Sequence, residues 1–215
     1  MCKTNTIVCE QPVGRLRAGC TFRAMDSVLA WMALLARSGK GARWVRREVS
    51  RAGSPVAAWQ DWAQGHPSKA AATWDRAQRQ HQSIQRLGAH VVTFHDLRYP
   101  ALLAHIPDAP PVLYARGTWP KPEGWGRALA VVGTRGCSPQ GAAWALQAGR
   151  EWTEAGGRLV SGLARGIDGR AHQGALNGAR GGAQVAVLPC ALDAIHPRMH
   201  EGLAEAIVAR GGLLL

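Results

Sequence analysis

The sequence has few acidic residues, few tyrosines and phenylalanines, and no closely spaced cysteines. Its five cysteines are odd in number and lie far apart, with no CxxC pair, which argues against a disulfide framework or a zinc site. No run of about 18 apolar residues occurs, and residues 1–24 lack the compact apolar core of a signal peptide. We therefore expect a cytoplasmic protein without a metal or other cofactor and without membrane contact.

Basic residues outnumber acidic residues by 26 to 14, which gives a formal net charge of +12. Most of this excess lies in residues 1–125. A strongly basic chain favours an anionic partner, and nucleic acid is a more common partner than membrane for this composition. An arginine-rich proteome would raise the charge of any protein in the same way, so charge alone does not fix the partner.

The hydrophobic pattern divides the chain into three parts. Residues 1–24 show no periodicity and are predicted to be a disordered extension, or a segment upstream of a true start at Met25. Residues 25–87 have the apolar spacing of helices and predict a small helical domain. Residues 88–215 predict an extended Rossmann-like domain that is incomplete at its C-terminus.

Single residues within the helical patterns carry further predictions. Ser54 and Ser68 lie within the breaks "AGSPV" and "GHPS" and are predicted to cap the helices that come next. Trp31, Trp144 and Trp152 stand at helical core spacings and are predicted to pack in the interior.

The second half of the chain alternates strands with helices. The segments "GAHVVTFHD" and "PVLYARG" are predicted strands separated by a proline-containing connector, and after residue 126 the apolar strands "ALAVVG", "RLVSG" and "AQVAVLP" alternate with helical patterns. Fully apolar strands that alternate with helices are typical of a parallel sheet covered on both faces. The predicted fold class is α/β, a Rossmann-like, doubly wound, mostly parallel sheet preceded by a small α-helical domain.

The loop "GTRGCSPQG" follows the first of these later strands, at the sheet edge where such folds bind ligands. Gly133 and Gly136 allow a tight turn, and Ser138 is placed to cap the next helix. Free amides at that helix end, together with Arg135, would suit a phosphate group. The alternative is a glycine turn with a solvated arginine, and the pattern matches neither a GxGxxG nor a Walker loop.

The loop "SGLARGID" follows the next strand. If the two strands are neighbours, Ser161, Arg165 and a second helix N-terminus reach the same edge as Arg135. Asp168 is interpreted as a helix cap or as a residue that orients Arg165, rather than as a catalytic base, because no second carboxylate, nucleophile or metal cluster accompanies it. His172 is interpreted as a packing residue.

A basic segment, "RSGKGARWVRREVSR", lies in the helical part of the chain. In a helix, Arg43, Arg46, Arg47 and Arg51 would share one face while Trp44 turns toward the core. A nucleic-acid contact and a solvated charged face explain this pattern equally well.

The segment "SGLARGIDGRAHQGAL" resembles the most distinctive signature of the DprA/Smf family of DNA-processing proteins. "VVGTRGCSPQG" is similar to that family's first phosphate loop, and "YPALLAHIPDAPPVLYARG" to the segment before its Rossmann domain, so the resemblance covers about residues 26–215. It implies single-stranded DNA binding, homodimerisation, and delivery of the strand to RecA during natural transformation. No catalytic step is implied.

The resemblance also implies which residues bind DNA phosphates. They are Gly133, Thr134, Arg135, Ser138 and Gly141 in the first loop and Ser161, Gly162, Arg165 and Gly166 in the second, with Asp168 in support. Three positions depart from the family pattern, since Gln140 and His196 stand where tyrosine is usual and His200 where asparagine is typical.

The sequence ends in "GGLLL", where the resembled family continues through another loop with an Arg-Asn motif. We expect Leu213, Leu214 and Leu215 to be poorly covered and to weaken solubility and DNA binding. Two alternatives stay open. One is a nucleotide-processing, phosphoribohydrolase-like enzyme, although the Pro-Gly-Gly loop expected after the third strand reads "LPCALDAIHP" here. The other is a non-functional truncated remnant.

Overall fold

The computed structural model describes residues 27–37, 40–178 and 183–215. The predicted extension over residues 1–24 and the predicted start at Met25 lie outside the described residues. The chain then forms four helices, as its apolar spacing predicts: α1 (Ser27–Ala36), α2 (Ala42–Ala52), α3 (Pro55–Gly65) and α4 (Pro67–Arg86).

The starts of α3 and α4 differ in how they are capped. The Ser54 hydroxyl accepts a hydrogen bond from the Ala57 amide at 3.1 Å, so its predicted capping role is confirmed. The prediction for Ser68 is wrong, because α4 already begins at Pro67 and Ser68 lies inside its first turn. Proline favours the first helical position because it has no amide hydrogen to leave unpaired.

A six-stranded sheet follows, in the order β1-β2-β6-β5-β4-β3. Its strands are β1 (Ala89–Thr93), β2 (Val112–Gly117), β3 (Ala128–Ala130), β4 (Arg158–Ser161), β5 (Gln184–Ala186) and β6 (Leu213–Leu214). Strands β3, β4, β5 and β6 are parallel to one another, whereas β1 and β2 form an antiparallel pair and β2 joins β6 in an antiparallel pairing. The predicted Rossmann-like, mostly parallel sheet preceded by helices is confirmed.

The described residues of this half of the chain form four α-helices: α5 (Ala101–Ala104), α6 (Pro139–Glu154), α7 (Ile167–Asn177) and α8 (Glu201–Ala209). One sheet face packs against α7 and α8, where Leu159 belongs to the same hydrophobic cluster as Ala171 and Ala175, and Ile207 to the same cluster as Leu214. The opposite face is packed by connector aromatics, with Trp119 and Trp125 against Val160, Val185 and Leu213.

Helices α6 and α7 cross at very short range. A Cβ added to Gly149 would lie 2.1 Å from the Ala171 carbonyl oxygen, and one added to Gly174 would lie 1.8 Å from the Leu146 carbonyl oxygen. Only glycine fits where two helix backbones approach this closely, since any Cβ would overlap the facing carbonyl. The helix pair is therefore fixed by backbone contact, and both helices begin at loops predicted to bind phosphate.

Two predictions about burial are wrong. Leu213 and Leu214 are fully buried, because β6 lies between β2 and β5, and the Leu215 amide continues the pairing by donating to the Ala186 carbonyl at 2.8 Å. Trp144 is 64% exposed, because the face of α6 that meets α7 is the one with Gly149. Trp31 is fully buried, as predicted.

Candidate phosphate-binding cleft

The two predicted loops meet because β3 and β4 are neighbouring parallel strands. Gly166 adopts a φ of +88°, and a Cβ at this position would lie 2.2 Å from the Thr134 carbonyl oxygen. That same carbonyl accepts a hydrogen bond from the Ile167 amide at 3.2 Å. The second loop is thus seated directly on the first, and a side chain at residue 166 would separate them.

Asp168 holds the two loops together from beneath. Its Oδ1 accepts a hydrogen bond from the Gly133 amide at 3.3 Å, and its Oδ2 accepts one from the Gly162 amide at 3.1 Å. The residue is 6% exposed. The predictions that Asp168 caps α7 or orients Arg165 are wrong, because Gly166 precedes that helix without a side-chain cap and the carboxylate bonds to the ends of β3 and β4.

A cleft of about 840 Å³ opens above these loops. Both predicted arginines line it, and the Arg165 Nε donates to the Arg135 carbonyl oxygen at 3.3 Å. Arg170, from the first turns of α7, lines the same cleft. Three guanidinium groups therefore border one concavity, and guanidinium is the cation whose geometry best matches phosphate oxygens.

The amides at the helix ends are less available than the sequence suggested. The Ser138 hydroxyl accepts from the Gly141 amide at 3.1 Å, which confirms the predicted cap but occupies that donor. At α7 the Ile167 amide bonds to Thr134, and the Gly169 amide bonds to the Ala164 carbonyl at 2.9 Å. The helix dipoles still favour an anion near these ends, but direct hydrogen bonds to it must come mainly from the arginines.

Several predicted site residues support the cleft instead of lining it. Ser161 is 3% exposed, and its hydroxyl donates to the Val131 carbonyl oxygen at 2.6 Å. The Thr134 hydroxyl accepts from the Gly136 amide at 3.2 Å. Gly133 and Gly162 donate to Asp168, so their role is to fix the backbone. Of the predicted set, Arg135, Ser138, Arg165 and Gly166 line the cleft.

The cleft is also lined by residues that sequence reasoning did not include as site residues, among them Arg170, Met199 and His200. His200 Nδ1 lies 2.8 Å from the Leu163 carbonyl oxygen, so this nitrogen donates a hydrogen bond to it. Arg170 was detectable, since it falls one helical turn after Gly166. Met199 and His200 come from the segment before α8, and no spacing in the sequence joins that segment to the two loops.

The buried histidine of α7 packs as predicted. His172 is fully buried, and its Nδ1 lies 2.8 Å from the Gln184 carboxamide oxygen. Because that oxygen can only accept, Nδ1 carries the proton. Burial lowers the pKa of His172 below its ordinary value, so the ring stays neutral behind the cleft and adds no charge to it.

The arginines of α2 are largely engaged within the protein. Arg46 donates to the carbonyl oxygens of Ile106 and Pro107 at 3.4 and 3.3 Å and lies 4.2 Å from the Phe94 ring centre. Arg43 pairs with Asp108 at 3.7 Å. These contacts join α2 to the connector before β2 and weaken the interpretation of this face as a free nucleic-acid surface.

Residues 27–37, 40–178 and 183–215 contain neither a membrane-spanning helix nor a cluster of metal ligands. No helix there is both long and apolar enough to cross a membrane. No group of three histidine, cysteine, aspartate or glutamate side chains there is arranged to hold a metal ion.

Comparison with known proteins places this cleft in a family context. The model of the family described as DNA recombination-mediator protein A matches residues 90–215. The chain belongs to this family. Protein Smf from Synechocystis is 37% identical over 60% of this chain and 33% of its own length, and Protein Smf from Escherichia coli is 36% identical over 61% and 34%. The chain spans about a third of the length of these relatives.

A solved structure of a related protein agrees with the fold. DNA processing protein A (DprA) from Streptococcus pneumoniae is 25% identical, with a TM-score of 0.63 over 86% of this chain and 66% of that chain. DNA processing protein A from Helicobacter pylori, described for its single-stranded DNA binding mode, is 26% identical, with a TM-score of 0.46 over 58% of this chain and 54% of that chain.

Proposed function

We propose that this protein binds single-stranded DNA without sequence preference, by holding backbone phosphates in the cleft between the β3 and β4 loops. The observation that carries the proposal is the presence of Arg135, Arg165 and Arg170 on one concavity at the start of α6 and α7. Phosphate contacts of this kind position a strand but read no sequence.

The proposed role is binding and not catalysis. Asp168 is the carboxylate beneath the arginines, and both of its oxygens accept backbone hydrogen bonds, so it is held as a structural acceptor. The nucleotide-processing alternative loses support because Asp193, the carboxylate of "LPCALDAIHP", lines a different, mostly apolar cavity.

The wider role rests on family membership. We propose that the bound strand is DNA being processed during natural transformation and that it is passed to RecA, with a homodimer as the working form. We also retain as proposals the helical domain at residues 25–87 and the Rossmann-like domain at residues 88–215. Helix α4 ends at Arg86 and β1 begins at Ala89, which supports a boundary between them.

Titration of a labelled oligothymidylate with the whole chain tests the cleft. Arg135→Ala and Arg165→Ala should each weaken binding about ten- to hundredfold, since a charged hydrogen bond contributes roughly 1.5 to 3 kcal/mol. In the parent, affinity should fall with salt at a slope of about 0.7 per phosphate neutralised.

Arg210→Ala is the matched control, because Arg210 is exposed and lies outside the cleft. It should bind within about twofold of the parent, as expected for loss of one remote charge at moderate salt. If Arg135→Ala and Arg165→Ala both bind as well as Arg210→Ala, the cleft is not the DNA site.

A further inference from the structure

A second groove of about 840 Å³ lies in the helical part of the chain, away from the two loops. It is lined by Arg37, Lys40, Trp44, Trp62, His66, Ser68, Lys69, Ala72, Thr73, Arg76 and Arg79. Five of these side chains are cationic, three are aromatic rings, and none is a carboxylate. This composition differs from the α2 face, where the arginines have acidic or carbonyl partners.

The cationic wall of this groove is one face of α4. Lys69, Thr73 and Arg76 follow one another at spacings of four and three residues, so they share a face of the helix, and Arg79 continues it. Lys69, Arg76 and Arg79 are exposed, and none of them takes part in a salt bridge identified among residues 27–37, 40–178 and 183–215. Small side chains between the cations leave space for an anion to approach.

The facing wall is aromatic. The Arg37 guanidinium lies 3.4 Å from the Trp44 ring centre, and the rings of Trp62 and His66 stack at 4.8 Å with an interplanar angle of 12°. The Glu48 carboxylate attracts the Arg37 guanidinium electrostatically. Glu48 itself accepts a hydrogen bond from Arg51 at 3.0 Å. Trp62 also lies against Trp59, with ring centres 5.0 Å apart. The groove thus places aromatic rings and a guanidinium group opposite a row of cations that have no salt-bridge partner among the described residues.

We propose that this groove is a second binding site for single-stranded DNA, formed by the helical part of the chain alone. Stacking surfaces beside a track of cations are the combination that binds unpaired bases and their phosphates together. An acidic peptide would form ion pairs with the cations, but its carboxylates would not stack on the aromatic rings. The groove volume falls within the range of about 300 to 1,000 Å³ that is typical of ligand sites.

The proposal does not depend on the cleft between the β3 and β4 loops, and the test separates the two sites. Anisotropy titrations of a labelled oligothymidylate use the whole chain carrying Arg135→Ala and Arg165→Ala, which removes two of the three cleft arginines, so that the groove supplies most of the remaining binding. Adding Lys69→Ala and Arg76→Ala should reduce that binding about tenfold or more. It should also lower the slope of log affinity on log salt by about 1.4, from about 0.7 for each of two lost phosphate contacts.

The charge-matched control adds Arg86→Ala and Arg210→Ala, two exposed arginines outside both cavities, and should bind within about twofold of the starting variant. Duplex DNA should compete poorly, because its bases are already stacked. Equal binding by the Lys69/Arg76 variant and the control, or equal competition by duplex, overturns the groove proposal. If Arg135→Ala with Arg165→Ala instead binds like the parent while Lys69→Ala with Arg76→Ala does not, the groove proposal stands and the cleft proposal fails.

Discussion

At the scale of single residues, Asp168 sets the geometry of the proposed DNA cleft although it does not line it. Its two oxygens bond to amides at the ends of two neighbouring strands, so one side chain fixes the spacing between the Arg135 loop and the Arg165 loop. A buried carboxylate that accepts hydrogen bonds from backbone amides is a strong, charge-assisted link.

Replacing Asp168 with asparagine tests this role. The carboxamide keeps one acceptor but turns an NH₂ donor toward a backbone amide, so we expect Asp168→Asn to lower the free energy of unfolding by about 1 to 3 kcal/mol. Urea denaturation measures this change. Asp75→Asn, at an exposed position on α4, should change stability by less than about 0.5 kcal/mol. Equal stability of the two variants would show that the Asp168 bonds do not hold the loops.

At the scale of whole elements, the contact between α6 and α7 positions both loops, since each helix begins where one loop ends. The contact depends on Gly149 and Gly174, whose missing side chains let the two backbones touch. Any shift of one helix along the other would move Arg135 relative to Arg165.

Gly174→Ala should therefore be strongly destabilising. Its Cβ would lie 1.8 Å from the Leu146 carbonyl oxygen, and overpacking of this kind costs about 1 to 3 kcal/mol or more. Gly202→Ala in α8 is the matched control, because a Cβ there meets nothing within 4 Å and alanine has the higher helix propensity. Thermal denaturation should show a lower Tm for Gly174→Ala alone; a similar Tm for both variants would contradict the close helix contact.

The elements also show what the sequence could predict. Apolar periodicity predicted the helices and strands, and loop position predicted that Arg135 and Arg165 lie at the cleft. Both signals can be detected in the sequence because each depends on neighbouring residues only. Trp144 was wrongly predicted to be buried, because its spacing matches a buried helix face. In the structure α6 packs against α7 through the face that carries Gly149, and this face does not include Trp144. The positions of Ser161 and His200 relative to the cleft could not be predicted, because their partners, Val131 and Leu163, are brought to them only by tertiary contacts.

At the scale of the whole molecule, stability in acid depends on a histidine held neutral inside the fold. Burial lowers the pKa of His172 from 6.5, whereas in the unfolded chain the ring titrates near that value. Above about pH 6.5 both states are neutral and the stability is fully present. As the pH falls from 6.5 toward the lower pKa of the folded state, the unfolded chain binds a proton that the folded protein does not, and stability is lost.

His172→Gln should reduce this acid sensitivity. In the parent, the His172 contribution to the loss is at most about 1.4 kcal/mol per pH unit, and urea titrations at pH 7.5 and 5.5 measure it. His90, whose pKa burial also lowers, leaves part of the dependence in place. His105→Gln, at an exposed position, should lose as much stability as the parent, and an equal loss in His172→Gln would exclude His172 as the sensor.

The central position of β6 has a consequence for synthesis of the chain. Strand β6 follows every other strand in sequence but lies between β2 and β5. While the ribosome is still making residues before 213, the β1–β2 pair and the β3–β5 layer each expose a strand edge that only β6 can fill. Unpaired edges attract other chains, so protection of this protein from aggregation during translation depends on when its last described strand emerges.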